Sequence, residues 1–401
     1  MAYPIDTLPL GALLLPVAQA SAQITRLDER LAGSQIRAGF VERSHFHDAV
    51  ASLWVDGELV HLEDLVLHDA RMDVRTPSHE LARAHAILRA RRQIFSRPPE
   101  WALSEAGVQS LRGRGPDAGG SAAEQRRPEI TSAGLDGAID LAQQAGAADA
   151  LDMQFAAIDR LLARSSATIS RLAARSHAGP TEMIDDTGDH PAKTDSSAGR
   201  HPIGPSSEPS REAVVYDLDW NEDVRLAEWH DVVEQTTKLP AVLRLAVMLD
   251  AWNTIEVLQH APWLGRLLAA ALLRQAGMTT AHLACINLGL RAIPRELRHA
   301  RSRTVRLTAF LDAIGQAAEL GLKEHDRLVL AKAQLDRRLK GRRANSKLPQ
   351  LIGFVLARPL VSAAMIEQEL SVTQAGALNL VKDLGLREMT GRERFRAWGI
   401  V

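Results

Sequence analysis

The stretch from Leu348 to Val401 constrains the fold more tightly than any other part of this chain. Pro349 to Leu356 is an apolar run that must end near Arg358-Pro359, because a proline disfavours helix at the residue before it. Ser362 stands where a side-chain cap would start a second helix, Ala363 to Leu370. Ser371 and Val372 leave room only for a short turn. Thr373 opens a third helix that ends at Leu384, with Gly385 as a left-handed stop. Within it Ala377, Val381 and Leu384 recur at i, i+4 and i+7, which makes one buried face. Gln374, Leu378, Asn379 and Lys382 then fall mainly on other faces. Leu386 to Met389 and Arg394 to Trp398 read as two short strands around Thr390-Gly-Arg-Glu393. The order is helix, helix, short turn, helix, hairpin.

That order resembles the winged helix-turn-helix family. The resemblance implies double-stranded DNA as the partner. The third helix, opened by Thr373, would enter the major groove, where Gln374 and Asn379 can read base edges. Lys382 and the wing residues Arg392, Arg394 and Arg396 would contact phosphate. The competing reading is a module of the same shape used for dimerisation or protein contact.

A second stretch, His260-Ala-Pro-Trp-Leu-Gly-Arg266, lies between a helical run from Pro240 to Gln259 and an apolar helix reaching Gly277. A helix N-terminus favours anions and an Arg adds a forked donor, so such a junction can hold a phosphate. His260, Pro262-Trp263, Gly265 and Arg266 resemble the Fic family motif, His-Pro-Phe-x-(Asp/Glu)-Gly-Asn-Gly-Arg-x-x-Arg, which transfers AMP from ATP to a hydroxyl. Here the His-to-Arg spacing is six and the family's is eight. No Asp, Glu or Asn stands between His260 and Gly265, and Ala269 occupies the place of the second Arg. The metal-binding acid and the anion-hole Asn are thus missing, and phosphoryl chemistry needs what they supply. Ser52-Leu-Trp-Val-Asp56-Gly57 resembles the family's inhibitory helix, Ser/Thr-x-x-x-Glu-Gly, with Asp for Glu. Ser52 and Asp56 are four apart and share a helix face. In the family that acid pairs with the second Arg of the motif, whose place Ala269 takes here, so the resemblance implies that Asp56 lies near Arg266, the Arg that is retained.

The rest of the chain reads as helix broken by two linkers. Residues 1–110 form an N-terminal helical region. Its helices are expected at Ile24 to Ala32, at Glu42 to Val55, and from a Thr76 cap with Pro77 to about Phe95. Pro9 and Pro16 should break the apolar run Leu8 to Ala20. Residues 111–150 read as a linker, 151–175 as a helix and 176–211 as a disordered linker rich in Gly, Pro, Ser and His. Residues 212–344 are the Fic-like core with basic helices, and 345–401 the terminal module.

Composition narrows the class. Aromatic residues are 4% with Ala and Leu abundant, which leans towards helix. Cys285 is the only cysteine, so no internal disulfide forms and a reducing cytoplasm is the expected setting. No stretch is long and apolar enough to span a membrane. The formal net charge of -1 hides an asymmetry. Arg291 to Val401 holds 21 Lys and Arg against 11 Asp and Glu, a formal +10, which leaves -11 on the residues before it. A basic C-terminal part fits a polyanion partner, and fits a solvated helix face as well.

The whole length also resembles an uncharacterised bacterial family, a domain of unknown function followed by a helix-turn-helix DNA-binding domain. The fold expected is mainly α: a Fic-like helical bundle with a C-terminal winged helix-turn-helix. The function expected is DNA binding by a transcriptional regulator whose body serves oligomerisation or ligand sensing, with no metal and no cofactor. The alternatives are a divergent AMP- or phosphate-transferring enzyme using His260 and Arg266, and a protein-interaction module.

Overall fold

The computed structural model describes residues 3–5, 7–72, 76–113, 220–339, 346–390 and 396–400. The expected linkers at 111–150 and 176–211 and the helix at 151–175 lie outside them, save for 111–113. Among the described residues the body holds α1 (Leu10–Ala32), α2 (Arg37–Val55), α3 (Leu62–Asp69), α4 (His79–Ser96) and α5 (Glu105–Leu111). It continues with α6 (Glu222–Gln235), α7 (Ala241–Ile255), α8 (Trp263–Gln275), α9 (Ile286–Ala292), the single turn α10 (Arg295–Arg298) and α11 (Arg303–Leu339). The C-terminal module holds α12 (Leu348–Ala357), β1 (Val361–Ser362), α13 (Ala363–Leu370), α14 (Gln374–Leu384), β2 (Arg387–Glu388) and β3 (Ala397–Gly399). The fold is mainly α.

The spine is α11, 37 residues long, or about 55 Å at the helical rise. Leu307, Phe310, Leu311, Ile314, Ala318, Leu328 and Leu335 form its buried stripe, at the three- and four-residue steps of a helix face. Helix α1 lies along it, and α9, α7 and α12 pack against it too. Helix α8 is different. Every residue from Leu264 to Leu273 is buried, so it is the centre of the core and needs no polar face.

Helix α2 begins at Arg37, five residues before the expected Glu42, and three further boundaries differ from the sequence reading, each for a physical reason. Helix α1 starts at Leu10 and runs through Pro16. Leu13, Ala20, Ile24, Leu27 and Leu31 are buried along one side, and that packing outweighs the roughly 3 kcal/mol an interior proline costs. Helix α4 is capped by Ser78, not Thr76: the Ser78 hydroxyl accepts from the Leu81 amide at 3.3 Å. Helix α7 stops at Ile255, four residues before Gln259, with Glu256 in the left-handed region at φ 53°. The Arg225 guanidinium donates to the Ile255 carbonyl, satisfying an end that would otherwise be orphaned.

In the C-terminal module the helices fall where local chemistry places them. Ser362 accepts from the Met365 amide at 3.2 Å and Thr373 from the Gly376 amide at 3.2 Å. The antiparallel sheet has the order β1-β3-β2, with Val361 opposite Trp398 and Arg387 opposite Gly399. Strand β1 was not anticipated, because two residues carry no alternation to read.

Arginines of the body bind the module in place. Arg43, 3% exposed, donates to the carbonyls of Val355, Arg358 and Pro359 and pairs with Glu324 at 3.0 Å. Arg327 donates to the Ile400 carbonyl at 2.8 Å, and Arg338 to that of Leu384. Val355 and Arg358 stand at the end of α12 and Leu384 at the end of α14, where carbonyls lack partners within the helix.

Candidate functional site

Helix α14 sets the geometry of the module. Ala377, Val381 and Leu384 are buried, which turns Gln374, Leu378, Asn379 and Lys382 outward; all four are exposed. Thr373 is the N-cap and spends its side-chain oxygen on the helix. The helix stops at Gly385, φ 55°, where a Cβ would also lie 2.4 Å from the Arg338 guanidinium. The positive φ is what favours glycine there, since the long Arg338 side chain could move aside. Ser371, in the turn before α14, also has positive φ at 51°.

The hairpin beyond α14 is only partly described. Arg392 and Arg394 lie outside the described residues. Arg396 is exposed, yet it is engaged within the hairpin. Its Nε and Nη2 lie 2.8 and 2.6 Å from a Glu388 carboxylate oxygen, and its guanidinium sits 5.4 Å from the Trp398 ring centre. The hydrogen bond to Glu388 raises its pKa above the usual guanidinium value. A phosphate contact at Arg396 would have to compete with that carboxylate.

A second constellation lies in the body. Arg266, on the first turns of α8, is buried and reaches the end of α2. Its Nη2 donates to the Asp56 carboxylate at 2.7 Å, the Ser52 hydroxyl at 3.0 Å and the Ser52 carbonyl at 3.4 Å. The structure thus joins Ser52 and Asp56 to Arg266 across more than 200 residues of chain. Gly57 follows with φ 89° and ends α2. The expectation that Gly265-Arg266 opens a phosphate cradle is not met in this geometry. A Cβ at Gly265 would lie 2.3 Å from the Trp252 ring, so the glycine is a notch for an indole. His260 is turned to Glu222, with its Nδ1 at 2.7 Å from the carboxylate.

Part of the basic run from Arg291 is used for structure. Arg303 and Arg306 both meet Asp250, at 3.6 and 2.6 Å, and Tyr3 donates to the same carboxylate at 2.6 Å. Burial and that carboxylate push the Tyr3 phenol well above its ordinary pKa. Asp28 is another such hub. Burial alone would raise its pKa, but hydrogen bonds from His282, Ala281 and Thr280 prevail and hold it at about 2. Sequence reasoning missed Arg43, Asp48 and Asp28, since nothing near them in the chain announces a partner.

A helical body joined to a three-helix module with a small sheet is the class these observations define. A family described as a protein of unknown function (DUF1612) matches residues 214–340, and a family described as an HTH DNA binding domain matches residues 348–401. The uncharacterized protein y4cF of Sinorhizobium fredii (strain NBRC 101917 / NGR234) is 48% identical over 404 residues, covering 100% of both chains. The chain belongs to the family of that protein.

Proposed function

We propose that this protein binds double-stranded DNA through a winged helix-turn-helix and acts as a transcriptional regulator. The observation that carries this is the outward face of α14, where Gln374, Asn379 and Lys382 are exposed within a module that matches an HTH DNA-binding family. Thr373 and Gln374 stand at the helix N-terminus, the end such modules present to the bases. Lys382 in the last turn, with Arg392, Arg394 and Arg396 on the hairpin, supplies phosphate contacts. The cytoplasm is the setting for such a role, and the body serves self-association or ligand sensing. Selection of duplex sites by the full-length chain from a random pool tests the reading. An enriched motif is the expected result. No affinity for any duplex at low salt would overturn it and leave a protein-interaction module in its place.

The body is read as a degenerate relative of the Fic bundle, supported by the contact of Arg266 with Ser52 and Asp56. With no acid or amide between His260 and Gly265, transfer of AMP is not expected. Label from ATP that appears on protein with Mg²⁺ or Mn²⁺, and that His260→Ala abolishes, would reverse this.

A further inference from the structure

Four arginines are buried among the described residues: Arg43, Arg91, Arg266 and Arg298. Three of them each hold a carboxylate. Arg43 meets Glu324 and three carbonyls, Arg91 meets Asp48, and Arg266 meets Asp56 and Ser52. Arg298 departs from the rule. It is 6% exposed, and its side chain has no hydrogen-bond acceptor or ion-pair partner among the described residues. Its Nε is buried without a partner, as it is in Arg91 and Arg266, but in Arg298 no other guanidinium nitrogen is engaged either. A buried cation left unpaired is costly, and folded proteins seldom keep one without use.

Arg298 lines a cavity of about 750 Å³ between the end of α2 and the α9–α10 stretch. Trp54, Asp56, Arg291, Arg295 and His299 line it with Arg298. The acids in the wall are already taken. Asp56 is held by Arg266, and the neighbouring Glu58 by Arg83. The charge left over is positive, from Arg298 with the exposed Arg295 and Arg291, the last lying 5.5 Å over the Trp54 ring. Burial, with Arg266 and Arg295 nearby and opposed by Glu296 and Asp56, makes Arg298 give up its proton more readily than a free arginine. An anion entering the cavity would relieve that repulsion.

We propose that this cavity is a binding site for a small molecule bearing a phosphate or carboxylate group, which Arg298 grips from the floor and Arg295 from the rim. The volume is that of a small-ligand pocket. A nucleic-acid duplex cannot reach a guanidinium so nearly covered, so the occupant is a small molecule, with Trp54 and Arg291 as a flat wall for its body.

The test is a titration of the full-length protein with inorganic phosphate, pyrophosphate or citrate at constant ionic strength, against chloride, followed by melting temperature and calorimetry. At least one of the three is expected to bind and raise the melting temperature. Binding by phosphate or pyrophosphate alone assigns a phosphate ligand, and by citrate alone a carboxylate. Arg298→Met should lower the affinity about tenfold or more while leaving the unliganded melting temperature unchanged or higher, since it removes an unpaired charge. Should that variant fail to fold, Arg295→Met, at an exposed position, should still weaken binding. No binding by any of the three, or equal binding by the Arg298→Met and Arg295→Met variants, overturns the proposal. Binding is read without DNA, so its failure leaves the reading of α14 intact.

Discussion

Helices α2 and α14 treat their polar residues in opposite ways. Helix α2 buries Arg43, Ser44, His45, Asp48 and Ser52. Asp48 takes the Arg91 guanidinium, the Asn287 amide at 2.8 Å and the Leu288 backbone N–H at 3.0 Å. Arg43 ends on the C-terminal module, and Ser52 on Arg266. Helix α14 buries only Ala377, Val381 and Leu384. Arg43, Asp48 and Ser52 of α2 are consumed by folding, while Gln374, Asn379 and Lys382 of α14 face outward. A charged residue in this chain is therefore informative only once its partner is known.

The largest effect should come from Asp48. Both Asp48 and Arg91 have fully buried side chains. Asp48→Ala leaves an uncompensated buried guanidinium, and a loss of about 3–5 kcal/mol is expected in urea unfolding. Replacing both, as Asp48→Leu with Arg91→Met, should recover part of it, because no buried charge then lacks a partner. A loss under about 1 kcal/mol for Asp48→Ala would mean that α2 is not committed to the core in the way described.

Next comes acid. Burial pushes the His47 pKa down to about 4, helped by Arg43 and Arg327 and opposed by Glu324. Burial, with Arg91 and Arg92 nearby, drives His45 well below its ordinary value as well. In the unfolded chain a histidine titrates near 6.5. Between about 6.5 and 4 the unfolded state binds the proton and the folded state does not, so stability falls as the pH drops through that window. The part due to His47 should approach about 3 kcal/mol at full extent. His47→Gln should flatten the fall, as followed by urea midpoints from pH 7 to pH 4. An unchanged slope would show that His47 is as accessible to protons folded as unfolded.

Smaller again is Arg43→Met, which frees the carbonyls of Val355, Arg358 and Pro359 at the end of α12. Charge-assisted hydrogen bonds contribute about 1.5–3 kcal/mol each when buried, and water can replace part of the set. A loss of about 2 kcal/mol is expected. Hydrogen exchange should quicken most in residues 348–357, where the seam lies. Uniform quickening would place Arg43 among ordinary core residues.

These contrasts also explain what the sequence could and could not reveal. The module was legible because its signals are local: Ser362 and Thr373 cap the helices that follow them, and Gly385 stops α14 at positive φ. The short β1 escaped, since its pairing with Trp398 and Ala397 comes from the far side of the hairpin. In the body, Pro16 misled because the burial that keeps α1 helical is tertiary. Asp28, Asp48 and Arg43 carried no local mark, since their partners stand 43 to 316 residues away. The Ser52, Asp56 and Arg266 cluster was the long-range contact that could be anticipated, because a motif resemblance joined its two halves. The packing role of Gly265 was not legible for want of the same information: the indole of Trp252 that fills its notch lies on the preceding helix.

The smallest effect on stability, and the sharpest on function, should come from α14. Gln374, Asn379 and Lys382 are exposed, and truncating an exposed helical side chain usually changes folding stability by no more than about 0.5 kcal/mol. Alanine at any of the three should therefore leave the urea midpoint almost unmoved. Their effects on DNA should then separate by chemistry. Lys382→Ala removes one cation, which should weaken every duplex alike and lower the salt slope of binding by about one unit. Gln374→Ala or Asn379→Ala removes a side chain able to pair with a base edge, which should relax preference at one base pair by about 1–3 kcal/mol while the salt slope stays put. Arg396→Ala should fall between, because its guanidinium must first leave Glu388. Glu388→Ala should then tighten binding at low salt. Plotting affinity against salt for matched and mismatched duplexes resolves the classes. If Gln374, Asn379 and Lys382 variants all shift the salt slope and none the sequence preference, α14 touches only the backbone. The major-groove placement is then wrong even though the protein binds DNA.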